Sequence, residues 1–407
     1  MLKQVLTGVK VLDFGWALVG SLTGKYLADQ GAEVIRIENS KRPGLERTNR
    51  HIAISSPTNP DDKPWFTYLN TSKYSLSLNL KHPLAQGFIA KLVEWADVVN
   101  ENFSPGTMEK FGLGYEFISK IKPEIIMLQA SIFGQTGPLA KEWGIDSSGN
   151  ALSGRADLSG WPDRAPTIAP SSGAYGDELL PLLNAIAIIA ALDYRRRTGQ
   201  GQHIDASMLE VLTQQVCPAL LDLQMNQHLT PRSGNRVPNA VPHGVYPCKG
   251  NDRWCAIAVF NDGEWASLCE AIGNPSWAKL AKFSTAEERK QNEDELDDLI
   301  SRWTIERSPH EVMRILQEKG VAAGAAQNAQ DIFENDPQLK HRGFLSPIKH
   351  PILGTFSHPM PLVKFDKIEP QIKTSPCLGE HNYFICSKIL GMSDGEFTEL
   401  LHEGLFD

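Results

Sequence analysis

The chain has 407 residues, 41% of them hydrophobic and 22% charged, with a net charge of −8. At roughly 150 residues per domain this length holds two or three domains, and proportions near the globular average exclude a disordered, collagen-like or coiled-coil protein. The acidic balance argues against nucleic acid as the main partner, so an anionic ligand has to be met by local clusters of basic groups or by helix N-termini.

The N-terminal MLKQVLTGVKVLDFG has no sustained apolar run and does not read as a signal peptide. Residues 9–14 (VKVLDF) read as a strand, Gly15, Gly20 and Gly24 as a tight turn and close helix packing, 22–30 as a helix and 32–38 (AEVIRIE) as a second strand. The alternation recurs, with helices at 83–95 and 115–121 and strands at 97–100 and 124–132, which is the pattern of an open, mostly parallel sheet. Residues 147–176, rich in Gly, Ser and Pro, read as a long irregular loop of the kind that carries function. A long apolar helix follows at 178–197. Its apolar stretch contains Pro181 and Asn184 and falls short of a membrane span of about 18 residues. A helix at 206–228, short strands and turns at 242–260, a charged solvated helix face at 287–298 and a short helix at 394–402 complete the reading. With six cysteines, none at zinc-motif spacing, the thiols are expected to be reduced, no metal is expected, and the protein is expected to be soluble and cytoplasmic.

Three constellations invite chemistry. Gly15, Gly20 and Gly24 with Glu38 resemble a dinucleotide turn, but the spacing is not G-x-G-x-x-G and helix packing accounts for it better. His203, Asp205 and Ser207 are the residue types of a hydrolytic triad. However, Ser207 with Glu210 fits a helix-start cap, and no G-x-S-x-G elbow is present. Asp177, at the start of the apolar helix behind Gly176, fits either an N-cap or a nucleophilic carboxylate, and spacing alone does not choose. Arg36, Lys81, Lys110 and Lys141 lie near strand ends or helix starts of one sheet edge and together make a plausible phosphate site.

The strings VLDFGWALVGSLTGKYLADQGAEVIRIE, NTSKYSLSLNLK, ENFSPGTMEKFGLGYE, GQTGP, AALDYRRRTGQGQHID, NDPQLKHRGF and SPCLGEHN, in that order, resemble the class III CoA-transferase family. That superfamily includes formyl-CoA and carnitine CoA-transferases and acyl-CoA racemases. The resemblance implies a Rossmann-like large domain built from both chain ends (1–225 and 327–407), a smaller α+β domain at 226–326, and an interlocked dimer. It implies Asp177 as the catalytic residue and CoA contacts at Leu18, Val19, Leu78, Asn79, Leu80, Lys81, Asn102, Phe103, Lys110 and Lys141, to which charge and position add Arg36. No cofactor beyond CoA as co-substrate is implied.

DFGWALVG with RPGLER is most like the succinyl-CoA:benzylsuccinate branch of anaerobic aromatic degradation, which implies a succinyl-CoA donor and an arylsuccinate acceptor. Arg47, Arg236, His243 and Gly244 are the candidates for contacting that acceptor. The partner is expected to be an identical chain or a related subunit, with no nucleic acid or membrane involved. Two alternatives stand beside transfer. One is a 2-methylacyl-CoA racemase, disfavoured because Ile145-Asp146 stands where racemases carry His-Asp. The other is a non-catalytic CoA-binding subunit, disfavoured by the presence of Asp177.

Overall fold

The computed structural model describes residues 4–48, 59–167 and 175–406. They divide into two compact units. The larger gathers the described residues of 1–156, 168–228 and 339–407, and the smaller comprises 157–167 and 229–338. The edges anticipated at 225/226 and 326/327 thus fall at 228/229 and 338/339. Residues 157–167 join the smaller unit because Arg232 donates to the Asp157 carbonyl at 2.8 Å and pairs with its carboxylate at 3.0 Å.

The larger unit is built on six parallel strands: β1 (Lys10–Asp13), β2 (Glu33–Glu38), β3 (Tyr74–Ser77), β4 (Val98–Glu101), β5 (Ile126–Ser131) and β6 (Gln202–Ser207). Their order is 3-2-1-4-5-6. The apolar runs in these strands follow from burial on both faces. Val11, Val34, Val98, Ile126 and Leu128 face the helices Ala17–Ala28 and Tyr175–Thr198, whereas Leu12, Ile35, Val99 and Met127 face the helix Ala85–Trp95. Ile385, Cys386, Leu405 and Phe406 complete the second of these cores, so the C-terminal segment closes a unit that the N-terminal segment begins.

The helix Tyr175–Thr198 is long and apolar enough by length and composition to cross a membrane. Leu180, Ile188 and Ala191 are nevertheless buried in the sheet core, and Asn184 donates to Thr23 Oγ1 at 3.2 Å. The polar interruption noted in the sequence is therefore a helix-to-helix tie.

Several elements depart from the sequence reading. The helix anticipated at 206–228 is the strand β6 followed by two helices, Met208–Gln215 and Cys217–Asn226. Pro218 has no N–H for the carbonyl one turn earlier, so the helix breaks at Val216. Residues 147–152 of the anticipated loop belong to the helix Asp146–Leu152, and 168–174 lie outside the described residues. The tail holds an antiparallel hairpin, β10 (Leu345–His350) with β11 (Gly354–Pro359).

The smaller unit is a three-stranded antiparallel sheet, β7 (His243–Pro247), β8 (Trp254–Ala258) and β9 (Ala322–Ala326). Leu268, Leu296, Ile300, Val312 and Leu316 from three helices cover it. The charged stretch 287–298 is not wholly solvated. Arg289 is buried, donating to the Phe283 carbonyl at 3.1 Å and to Asp262 at 2.6 Å.

Candidate active site

Strand order reverses between β1 and β4, and the loops leaving the carboxyl ends of those strands open a crevice, the place where ligands settle on open α/β sheets. The two loops are clamped together there. The Trp16 N–H donates to Asn102 Oδ1 at 2.7 Å, and Asn102 Nδ2 donates to the Trp16 carbonyl at 2.9 Å. Gly20 makes this possible, because a Cβ there would strike the Gly15 Cα and the Asn102 side chain. The glycines therefore serve packing. Glu38, the ribose-binding candidate of a dinucleotide site, is buried and bonded to Arg47 and Ser75.

Two cavities flank the clamp, with Phe103 in the wall of both. One, of about 430 Å³, lies over the ends of β1, β2 and β3 and is lined by Leu78, Asn79, Leu80 and Lys81. The other, of about 760 Å³, collects Leu18, Val19, Asn102, Lys110, Lys141 and Asp177 from segments up to 159 positions apart. Lys81 and Lys110 also share a third depression with His82. Lys81, Lys110 and Lys141 are exposed, and none of them has an ion-pair partner among the described residues.

Asp177 sits within the first turn of the helix Tyr175–Thr198, not at the cap position. Its carboxylate makes no hydrogen bond among the described residues, so the N-cap alternative has no support. Burial raises its pKa to about 7, with the neighbouring Asp146 and Glu178 carboxylates adding to the effect. Pro181, inside the same helix, lacks the N–H that would bond the Asp177 carbonyl. The result is a partly buried, unpaired carboxylate on the wall of a large cavity.

Three candidates, Arg36, Arg47 and Arg236, do not fit the roles expected of them. Arg36 lines the smaller cavity but is 2% exposed; it pairs with Glu46, lies 3.6 Å from Glu38 and donates to Ser21 Oγ at 2.8 Å, so its charge is already paired with buried carboxylates. Arg47 is 1% exposed, bidentate to Glu38 at 2.6 and 2.9 Å, and 2.8 Å from Asp61, which leaves no fork for a substrate carboxylate. Arg236, in the smaller unit, is held by Asp294, with Glu293 and Asp297 at 3.6 and 3.5 Å. The ring of His243 is bonded through Nδ1 to the Asn235 carbonyl. Gly244 lies in β7 against the ring of Tyr246. The triad residues also separate by role: His203 stacks on Tyr115, Asp205 accepts from the Gln135 N–H, and Ser207 caps the following helix.

Two acids that the sequence did not single out shape the site. Asp146 accepts the backbone N–H groups of Gly176 and Asp177. Glu101, at the end of β4, accepts from the Phe103 N–H and from Gln129 Nε2, both at 2.6 Å, and burial raises its pKa to about 7. Glu101 stands in a recognised string, but nothing in the string reveals that its side chain turns inward. In the sequence Asp146 is marked only by following Ile145, where racemases carry a histidine.

The sheet has Rossmann strand order and carries a partly buried carboxylate, Asp177, on the wall of a 760 Å³ cavity at its switch point. The family model of CoA-transferase family III matches residues 6–382, and the chain belongs to that family. It is 32% identical over 404 residues to a succinyl-CoA–D-citramalate CoA-transferase of Chloroflexus aurantiacus, covering 97% of this chain and 96% of that one. It is 30% identical to a human succinyl-CoA:glutarate CoA-transferase, covering 99% and 90% of the two chains. A CAIB/BAIF family protein from Brucella suis has the same fold, with a TM-score of 0.86 and 30% identity over 95% of this chain and all of that one.

Proposed function

We propose that this CoA-transferase moves CoA from succinyl-CoA to a free carboxylic acid with Asp177 as the covalent nucleophile. The observation that carries the reading is the unbonded Asp177 carboxylate facing the 760 Å³ cavity beside the strand switch point. The Asp177 carboxylate attacks the thioester carbonyl of the donor, giving a mixed anhydride and CoA thiolate. The thiolate attacks the aspartyl carbonyl, releasing succinate and leaving an aspartyl-CoA thioester. The acceptor carboxylate then attacks that thioester and expels the thiolate. The thiolate adds to the acceptor's carbonyl in the new anhydride and regenerates Asp177. CoA held by Leu18, Val19, Asn102, Phe103, Lys110 and Lys141, with its nucleotide end toward Leu78, Asn79, Leu80 and Lys81, keeps the thiol near each carbonyl in turn.

The relatives named above support succinyl-CoA as donor and a dicarboxylic acid as acceptor. Leu45, Trp65, Ile132 and Phe133 in the cavity wall favour an acceptor with an apolar substituent, benzylsuccinate or a related arylsuccinate. Incubation with succinyl-CoA and equal benzylsuccinate, citramalate and glutarate, read by mass spectrometry of the CoA esters, tests this. Benzylsuccinyl-CoA should dominate, and preferential citramalyl-CoA or glutaryl-CoA formation rejects the aryl acceptor.

Leu182, Leu183, Ile186 and Ile189 leave an apolar stripe exposed on the long helix. This supports an assembly of two chains, identical or related, that covers it. Glu101→Ala should raise the KM for acyl-CoA by about tenfold with kcat nearly unchanged, because the Phe103 N–H loses its buried acceptor and the shared wall of the two cavities loosens. Steady-state kinetics with succinyl-CoA checks it.

A further inference from the structure

The first turn of the helix Tyr175–Thr198 is held from outside its own segment. Asp146 is 6% exposed, and its Oδ1 accepts the Gly176 N–H at 2.6 Å and the Asp177 N–H at 3.2 Å. Its Oδ2 accepts from Asn150 Nδ2 at 2.7 Å. Asn150 Oδ1 in turn accepts from Arg155 at 2.9 Å, and that guanidinium lies 3.8 Å from the centroid of the Tyr175 ring. The contacts therefore close a circuit from Asp146 through Asn150, Arg155 and Tyr175 back to the backbone that carries Asp177. Gly176 is required in it, since a Cβ there would lie 2.8 Å from Asp146 Oδ1 and 2.8 Å from the Met208 sulfur.

A helix start leaves several N–H groups without partners, and a carboxylate is a strong acceptor for them. An Asn, Ser or Thr would also cap this turn, but only an acid brings a negative charge to the wall of the cavity that Asp177 faces. The charged groups around Asp177 are Asp146, with Arg155 behind it, Glu178 on the same helix, and Lys110, Lys141 and Glu142 elsewhere on the cavity wall. Of these, Asp146 alone hydrogen-bonds the Asp177 backbone through its side chain among the described residues.

We infer that Asp146 is a positioning residue for Asp177: it fixes the turn that carries the nucleophile and places a second carboxylate on the wall of the same cavity. The inference rests on the reading of Asp177 as nucleophile for its catalytic meaning, but not for its test. A carboxylate whose charge is disfavoured holds its proton to higher pH and, once deprotonated, is a more basic nucleophile. The burial and neighbouring acids that put the Asp177 pKa at about 7 agree with this arrangement.

The test is a 13C NMR titration of the full-length protein labelled at aspartate Cγ, with the Asp177 resonance assigned by its absence in Asp177→Asn. The wild-type midpoint should lie near 7. Asp146→Asn keeps an oxygen for the two N–H groups and removes the charge, and should lower the midpoint by about one pH unit. Asp146→Ala should also speed amide hydrogen exchange at Gly176 and Asp177 relative to Asp146→Asn. Should Asp146→Asn not fold, Asp146→Ser provides a neutral acceptor in its place. An unchanged midpoint in the neutral variant overturns the electrostatic half, and equal exchange in the Ala and Asn variants overturns the positioning half. No substrate is needed for the titration, so a failure of Asp177 to form a covalent intermediate, read separately by hydroxylamine trapping, leaves its result intact.

Discussion

Asp177→Asn is expected to lower transfer by about a thousandfold or more, since the covalent route has no substitute nucleophile, while the fold stays intact. It should also be more stable than the parent at alkaline pH. The Asp177 pKa is raised in the folded chain to about 7, above its ordinary value of 3.8. Between these values the folded state binds more protons than the unfolded one, so the carboxylate lowers stability progressively as pH rises from about 4 to about 7. The neutral amide escapes that loss. Melting temperatures of parent and variant should therefore agree near pH 4 and diverge in favour of the variant at pH 8. A variant less stable than the parent at pH 8 would show that the carboxylate serves the fold. In the parent, kcat/KM for the donor should rise with pH toward a plateau above about 7, because only the ionised form attacks.

Arg47→Ala is expected to be the most damaging substitution for stability. The Arg47 guanidinium joins Glu38 of β2 to Asp61, donates to the Pro376 carbonyl at 3.2 Å and stacks 3.3 Å from the centroid of the Phe66 ring. It therefore binds the N-terminal strands to the C-terminal segment inside one core. Its removal leaves the Glu38 carboxylate buried and short of its main partner, at a cost of about 3–5 kcal/mol. Burial alone would push the Glu38 pKa up, but the Arg47 ion pair and hydrogen bonds override it and hold the group below the usual carboxylate range. That stabilisation is present above the ordinary carboxylate pKa and is lost as pH falls through the depressed one. The variant should melt about 5 °C lower or fail to accumulate. A variant of unchanged melting temperature with a selectively raised KM for the acceptor would restore Arg47 to the substrate site.

The sequence carried the large unit well because its strands are buried on both faces and announce themselves as apolar runs separated by Gly-ended helices. VKVLDF and AEVIRIE became β1 and β2, and EIIMLQASI became β5. Tyr74–Ser77 gave no such signal, since β3 pairs through alternating small polar residues whose partners, Glu38 and His381, are remote in sequence.

Leu18, Val19, Asn102, Phe103, Lys110, Lys141 and Asp177, which the resemblance implied, line one cavity. The site was illegible where it depends on what a side chain has already spent. Arg36 and Arg47 look like ligand-binding cations in the sequence. Glu38, Glu46 and Asp61 consume them only once the chain is folded. Asp146, 31 positions from Asp177, becomes its neighbour only when the helix Asp146–Leu152 meets the start of the long helix.

The covalent role of Asp177 is the central claim, and trapping the intermediate tests it most directly. The protein would be incubated with succinyl-CoA, quenched in parallel with hydroxylamine and with borohydride, digested and analysed by peptide mass spectrometry. A hydroxamate is expected in one sample and a reduced side chain in the other, both at Asp177 and both absent without succinyl-CoA. Turnover of succinyl-CoA with a carboxylic acid acceptor while Asp177 stays unmodified under both quenches would contradict the covalent role.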